Sequence, residues 1–270
     1  MAKLPLANKT LGQHFLVDKN IISQITSNFE DVDHILEIGP GPGILTEPLA
    51  QKKDKDIHVI DKDQRFPEYL SKFIPEDKIH ISDALEWDLE QGFEEWGWKD
   101  DPSAPIWLVS NLPYNISTPL LIKFIQSPSI KYMTLMFQRE VADKIFPIDT
   151  RKGKAMNSLM ALCQNYFDVE LLCKVPPGAF SPPPKVDSAV LSFKRKENPT
   201  VPLERFQSFE KFLRLLFQFK RKQMGKILKS QFSSEHIMIT LEMLDLSPQV
   251  RAEALELEDI KQLFLLLVKQ

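Results

Sequence analysis

The chain has 270 residues, with 34 Lys+Arg against 37 Asp+Glu and a formal net charge of −3. With 43% hydrophobic and 26% charged residues, it is neither collagen, coiled coil nor a disordered polymer. The longest apolar run near the C-terminus, Leu263–Val268, falls far short of the roughly 20 residues that span a bilayer. MAKLPLANKT lacks the apolar stretch of a signal peptide, and Cys163 and Cys173 form no CxxC pair. A cytosolic, reducing compartment and no membrane contact are therefore expected. The net acidity argues against a nucleic-acid partner, but the charge is uneven. Glu76–Asp101 holds ten acids and two lysines, a net of −8. Lys194–Ser230 holds eleven Lys/Arg and three Glu, a net of +8, and Gln231–Gln270 returns to −4. The basic block is either a phosphate-binding footprint or a solvated helix face.

In chain order, Asn20–Phe29 has apolar residues at helical spacing. His34–Ile38 (HILEI) reads as a buried strand stopped by the glycine cluster GPGPG, and Ile44–Lys52 as a helix. Strands follow at Ile57–Ile60, Lys78–Ser82, Ile106–Ser110 and Lys131–Phe137. Met156–Asn165 reads as a helix, and Phe167–Val175 and Val186–Phe193 as a last pair of strands around a proline-rich loop. Strands separated by helices predict an α/β fold with a mainly parallel sheet, closed by an antiparallel edge pair. After Lys196, ENPTVP is linker-like, and Phe209–Leu216, Lys220–Lys229, Ser234–Leu244 and Glu258–Val268 read as helices. The expected organisation is an α/β domain over 1–198 and a small all-helical domain over 199–270.

Gly39, Gly41 and Gly43 stand between a strand and a helix, where glycine lets the backbone turn sharply and approach a ligand. In a doubly wound sheet this first strand-to-helix turn is a nucleotide site, and GxGxG departs from the GxGxxG of dinucleotide enzymes. Acids recur at the strand ends. Asp61 closes the second strand and Asp83 the third, Asn111 closes the fourth, and Glu37 precedes the glycines. Asp61 suits ribose hydroxyls and Glu37 a cationic amino group. Taken singly each acid reads as a helix cap; four consecutive strand ends do not.

Asn111-Leu112-Pro113-Tyr114 ends the fourth strand. An exocyclic adenine amine is a poor nucleophile because its lone pair is delocalised into the ring. Acceptors aimed at its N–H groups, the Asn111 side-chain oxygen and the Leu112 carbonyl, localise that lone pair. Pro113 restricts Leu112 to extended conformations, and Tyr114 offers a flat face to a base. Against a cationic leaving group, positioning supplies most of the catalysis, and no strong general base is required.

These motifs together resemble the class I S-adenosylmethionine-dependent methyltransferases, and among them the ribosomal RNA adenine N6-dimethyltransferase family of the bacterial small-subunit type. LGQHFLVD (Leu11–Asp18), NLPY, MFQREVADKI (Met136–Ile145), VPPGAFSPPPKVDSAV (Val175–Val190) and FKRKQMGKILK (Phe219–Lys229) carry the resemblance over nearly the whole chain. Two departures from the family pattern are Asp61, where Glu is usual, and Gly225. The resemblance implies a Rossmann-like catalytic domain in which His14, Leu16, Glu37, Gly39, Gly41, Asp61, Asp83 and Asn111 hold S-adenosyl-L-methionine. Asp83 would take the adenine amine of the cofactor, and Phe180 would stack on the target base opposite Tyr114. Lys220, Arg221, Lys222 and Lys226 would grip rRNA phosphates. The implied reaction puts two methyl groups on N6 of each of two adjacent adenines in a 3′-terminal hairpin loop of 16S rRNA. The partner would be the immature small ribosomal subunit and the enzyme a monomer. The related macrolide-resistance enzymes of the large subunit usually carry NIPY and lack the PPGAFSPPPKVDSAV form. A non-catalytic assembly factor of the same fold is a further alternative, against which the intact NLPY stands. No metal-ligand spacing is present among the five histidines, and the tryptophans of 76–101 receive no functional reading.

Overall fold

The apolar segments that read as strands lie side by side in one sheet. In the computed structural model, which describes residues 5–6, 13–101, 103–149, 155–219 and 222–268, seven strands run in the order β4-β3-β2-β5-β6-β9-β7. Here β1 is Phe15–Leu16, β2 His34–Ile38, β3 Asp56–Asp61, β4 Ile79–Ile81, β5 Ile106–Asn111, β6 Ile130–Gln138, β7 Phe167–Val175, β8 Phe180–Ser181 and β9 Ser188–Arg195. The five strands β4, β3, β2, β5 and β6 pair in parallel, and β9 runs antiparallel to β6. The late pair β9 and β7 thus closes one side of the sheet. Strands β2, β3 and β5 are buried over nearly their whole length, as parallel strands covered on both faces must be. The strand order reverses direction between β2 and β5; Gly39–Gly43 follow β2, and Asn111 ends β5. Clefts for ligands open at such a switch point, beyond the carboxyl ends of the strands.

Two compact units emerge. The first comprises 1–142 and 169–195; the second comprises 143–168 and 196–270. A single cut near 198, as read from the sequence, leaves 143–168 with the sheet. The structure groups this segment with the C-terminal helices for a local reason. Asn165, at the end of the helix Ser158–Tyr166, donates from Nδ2 to Val201 O (2.9 Å) and accepts Val201 N–H at Oδ1 (3.1 Å). Tyr166 packs on Phe206 of the helix Phe206–Phe217 at 5.7 Å between ring centroids. Phe209 and Phe212 of the same helix then meet Phe264 of the C-terminal helix at 5.0 and 5.6 Å.

In the first unit, Asp18 caps helix Lys19–Thr26, accepting Asn20 N–H and Ile21 N–H at 2.9 and 3.1 Å. The expected helix Lys220–Lys229 is corrected. Among the described residues the helix there is only Met224–Leu228, and Lys220 and Arg221 lie outside the described residues. Its first amides are already committed elsewhere: Met224 N–H donates to Val250 O (2.9 Å) and Gly225 N–H to Pro248 O (3.2 Å). A Cβ on Gly225 would stand 3.0 Å from Pro248 O, so the close approach accounts for glycine at this departure from the family pattern. Among the described residues no helix is long and apolar enough to cross a membrane.

Candidate active site

A cavity of about 220 Å³ opens where β2, β3 and β5 end. His14, Leu16, Glu37, Gly39, Gly41, Asp61, Asp83, Asn111, Leu112, Pro113 and Tyr114 all line it. Residues from positions 37 to 114 converge on one space because parallel strands deliver their carboxyl ends to one edge of the sheet. His14, just before β1, and Leu16, within it, join them from the separate antiparallel ladder of β1 with β8.

The glycine loop is held by both of its neighbours. Gly39 N–H donates to Ile60 O at 2.9 Å, and Gly41 N–H donates to Asp61 Oδ2 at 3.0 Å. Gly39 has φ +68°, and a Cβ built on it meets no protein atom within 4 Å. The bare backbone therefore forms a cradle that any side chain would fill. Gly43 is required for the opposite reason. Its φ is +91°, and a Cβ there would lie 2.8 Å from Phe73 Cε2.

Asp61 also accepts Asp63 N–H at Oδ1 (2.8 Å), so its two oxygens are oriented by backbone donors. Burial raises its pKa, and those donors oppose the rise. Asp83 sits nearer the surface, accepting Lys62 Nζ at 2.7 Å and Leu85 N–H at 2.9 Å. The bond from Lys62 holds its carboxyl below the usual range. Glu37 is 2% exposed and accepts the Thr46 hydroxyl at 2.6 Å. Burial pushes it up to about 8, so near neutral pH it awaits a cation that would restore its charge.

Ser110 Oγ donates to Ile38 O (2.6 Å), locking the end of β5 to the end of β2. Asn111 follows directly, and its Nδ2 donates to His14 O at 3.2 Å. A carbonyl accepts only, so the amide nitrogen must face His14, and Asn111 Oδ1 receives no donor among the described residues. Leu112 is buried, and its carbonyl receives no hydrogen bond among the described residues. The Tyr114 ring stacks against the His14 imidazole (centroids 5.9 Å, 25° between planes), and His14 Nδ1 lies 2.8 Å from Pro182 O.

Phe180 is not brought to this cavity. It is 4% exposed, pairs with Leu16 across the short β1–β8 ladder, and belongs to the core that also holds Phe15 and Val175. Stacking opposite Tyr114 would require its ring to leave that core. Lys222 and Lys226 are exposed in the second unit, with Lys222 Nζ 3.8 Å from the Phe219 ring centroid. Thr46, Lys62 and Leu85 were missed from the sequence. Lys62 and Leu85 lie one and two residues beyond the acids at the strand ends, a spacing that marks loops facing the same cleft; nothing marks Thr46.

These residues fit S-adenosylmethionine: a glycine cradle without side chains, paired carboxylates for hydroxyl and amine donors, and a buried carboxyl poised for an ammonium group. The chain matches the model of the family described as "Ribosomal RNA adenine dimethylase" over residues 5–269. It is 40% identical to the ribosomal RNA small subunit methyltransferase A of Chlamydia caviae, over 96% of this chain and 91% of that protein. The protein of the same name from Nitrosomonas europaea is 35% identical, with 92% of each chain covered. Among solved structures, a dimethyladenosine transferase from Plasmodium falciparum superposes with a TM-score of 0.73 at 25% identity, covering 93% of this chain and 96% of that one. The chain belongs to the ribosomal RNA adenine dimethylase family and is an S-adenosylmethionine-dependent rRNA adenine dimethyltransferase.

Proposed function

We propose that the protein dimethylates N6 of two adjacent adenines in the 3′-terminal hairpin loop of 16S rRNA, acting as a cytoplasmic monomer on the immature small subunit. The observation that carries the reading is Asn111, whose amide nitrogen is tied to His14 O and whose oxygen, beside the buried Leu112, receives no donor among the described residues. Two acceptors at the end of one strand match the two N–H bonds of an adenine amine. When bound, the cofactor supplies a methyl group on a sulfonium, a leaving group that needs no acid. Gly39 and Gly41 cradle its methionine part, Glu37 takes the ammonium group and Asp61 the ribose. Asp83 accepts from the cofactor's adenine amine. Tyr114 stacks on the target base with the ring face that His14 leaves open, once that base has left its own stack. A hairpin loop gives up its bases most cheaply, which favours it over duplex RNA. Lys222 and Lys226, with Lys220 and Arg221 beyond the described residues, hold phosphates for position rather than sequence.

The deciding experiment is transfer of labelled methyl groups to isolated ribosomal subunits, followed by mapping of dimethyladenosine. Two adjacent dimethyladenosines in the small-subunit RNA are expected, with immature subunits methylated better than naked RNA. Label confined to large-subunit RNA, or no transfer at all, overturns the reading. Asn111→Ala should lower transfer about a hundredfold or more while cofactor binding remains measurable.

A further inference from the structure

Ser188 has no task in the reading above, yet it is built into the site's surroundings. It opens β9, pairs with Gln138 of β6, and is 1% exposed. Its Oγ lies 2.8 Å from Tyr114 Oη. The two residues belong to motifs 74 positions apart, one ending β5 and one opening β9.

The partners differ in rigidity. Ser188 belongs to a strand inside a seven-stranded sheet, held by its ladder. Tyr114 belongs to the short turn between β5 and the helix Ser117–Gln126, closed by Ile116 N–H to Pro113 O at 3.1 Å. Ring torsions of tyrosine are broad, so the turn alone leaves the ring plane loosely set. A bond at the phenol oxygen acts at the far end of the ring, where it restrains tilt most. Burial raises the Tyr114 pKa, so the bond joins two neutral hydroxyls, and either can donate. The His14 ring covers one face of Tyr114 and is itself tied to Pro182 O. The ring is thus gripped at one face and one edge, leaving the other face defined.

We propose that Ser188 is a positioning residue for methyl transfer: its hydroxyl fixes the plane of Tyr114, and with it the angle at which the target adenine presents N6 to Asn111 and Leu112. This rests on Tyr114 being the stacking platform. Dimethylation makes the requirement stricter than a single transfer would. After the first methyl group, N6 keeps one N–H, so only one of the two acceptors still holds it, and the stacked ring must supply more of the alignment.

The test compares Ser188→Ala, Tyr114→Phe and the double variant in labelled transfer to small subunits. Each single change should lower kcat/KM about three- to tenfold, the worth of one hydrogen bond. Because both delete the same bond, the double variant should lose no more than either single one. All three should accumulate N6-monomethyladenosine at equal total methyl incorporation, with the cofactor Kd at its wild-type value. That product ratio does not depend on how much of the protein is folded, so simple destabilisation leaves it unmoved. Tyr114→Phe removes one oxygen atom and carries the test alone should Ser188→Ala fail to fold. A Tyr114→Phe enzyme with wild-type kcat/KM and product ratio overturns the proposal, as do losses that multiply in the double variant. Absence of dimethyladenosine from the wild-type reaction overturns the functional reading instead.

Discussion

Glu37 enters the hydrophobic sheet with one side-chain hydrogen-bond partner among the described residues, the Thr46 hydroxyl, and burial moves its carboxyl from an ordinary value of 4.5 to about 8. Its folded pKa lies above its unfolded one. Its contribution to stability is therefore fully present below about pH 4.5 and is lost as pH rises through 8. Binding of an ammonium group runs the other way, because the carboxyl must ionise to receive it. Cofactor affinity should rise between pH 6 and 8 by up to about tenfold per unit, a slope that calorimetry reads directly. Glu37→Gln should flatten that slope and weaken binding at pH 8. The two glycines separate in a similar way. Gly43→Ala forces a Cβ to 2.8 Å from Phe73 at a φ of +91° and should cost about 3 kcal/mol of stability. Gly39→Ala meets no protein atom and should cost about 1 kcal/mol of stability, its larger effect falling on cofactor Kd. Thermal melts with and without cofactor distinguish the two.

The elements that carry the site are set by short-range patterning, and the ones that escape the sequence are set by pairing over long separations. HILEI, IHVI and IWLVS are short runs dominated by apolar residues between turn residues, so strands ending just before Gly39 and at Asp61 and Asn111 were legible, and with them the row of groups around the cavity. Phe180 was not, because a two-residue ladder with β1 decides where its ring goes, and nothing within PPGAFS encodes Leu16 as its partner. The Lys220–Lys229 helix shortened because carbonyls at Pro248 and Val250 claim its first amides. The tryptophans of 76–101 acquire a role only from the sheet. On β3 and β4, His58 Nδ1 and His80 Nε2 are 2.9 Å apart, and Trp96 stacks on both rings at 4.1 and 4.8 Å. Trp98 stacks on His34 and donates Nε1–H to Asp56 at 2.6 Å. The helix Leu89–Glu95 and its flanks are thus pinned to the sheet by an aromatic stack containing three imidazoles. Burial lowers the pKa of His58 to about 4 and also lowers those of His34 and His80. For such groups stability is fully present above the unfolded pKa of 6.5 and falls as pH drops toward 4. Acidification should therefore loosen this element, with a change in tryptophan emission between pH 6.5 and 4. His58→Gln should shrink that change while transfer at neutral pH persists, since His58 is not among the residues that line the cavity.

At the scale of the whole chain, a net charge of −3 conceals two opposed blocks. The −8 stretch of Glu76–Asp101 belongs to the unit that holds the cavity, and most of the +8 stretch of Lys194–Ser230 belongs to the other. An average over both says little about a polyanionic partner, because phosphate responds to the local field within a Debye length of about 8–10 Å. Within the basic block not every charge is free to act. Arg195 is spent on the carbonyls of Ile130, Phe124, Ile125 and Ser127, Arg205 donates to Val268 O, and Arg214 pairs with Glu210. Lys222 and Lys226 are exposed, and their ammonium groups carry no ion pair among the described residues. They are accordingly among the residues whose loss should be felt by RNA phosphate. Each phosphate neutralised adds about 0.7–0.9 to the slope of log K against log salt. Binding to small subunits should weaken steeply as salt is raised. Replacing Lys222 and Lys226 by Gln should flatten the slope by about 1.5 while leaving the cofactor Kd unchanged. An unaltered slope would place the phosphate contacts elsewhere on the chain and detach the RNA-binding role from this block.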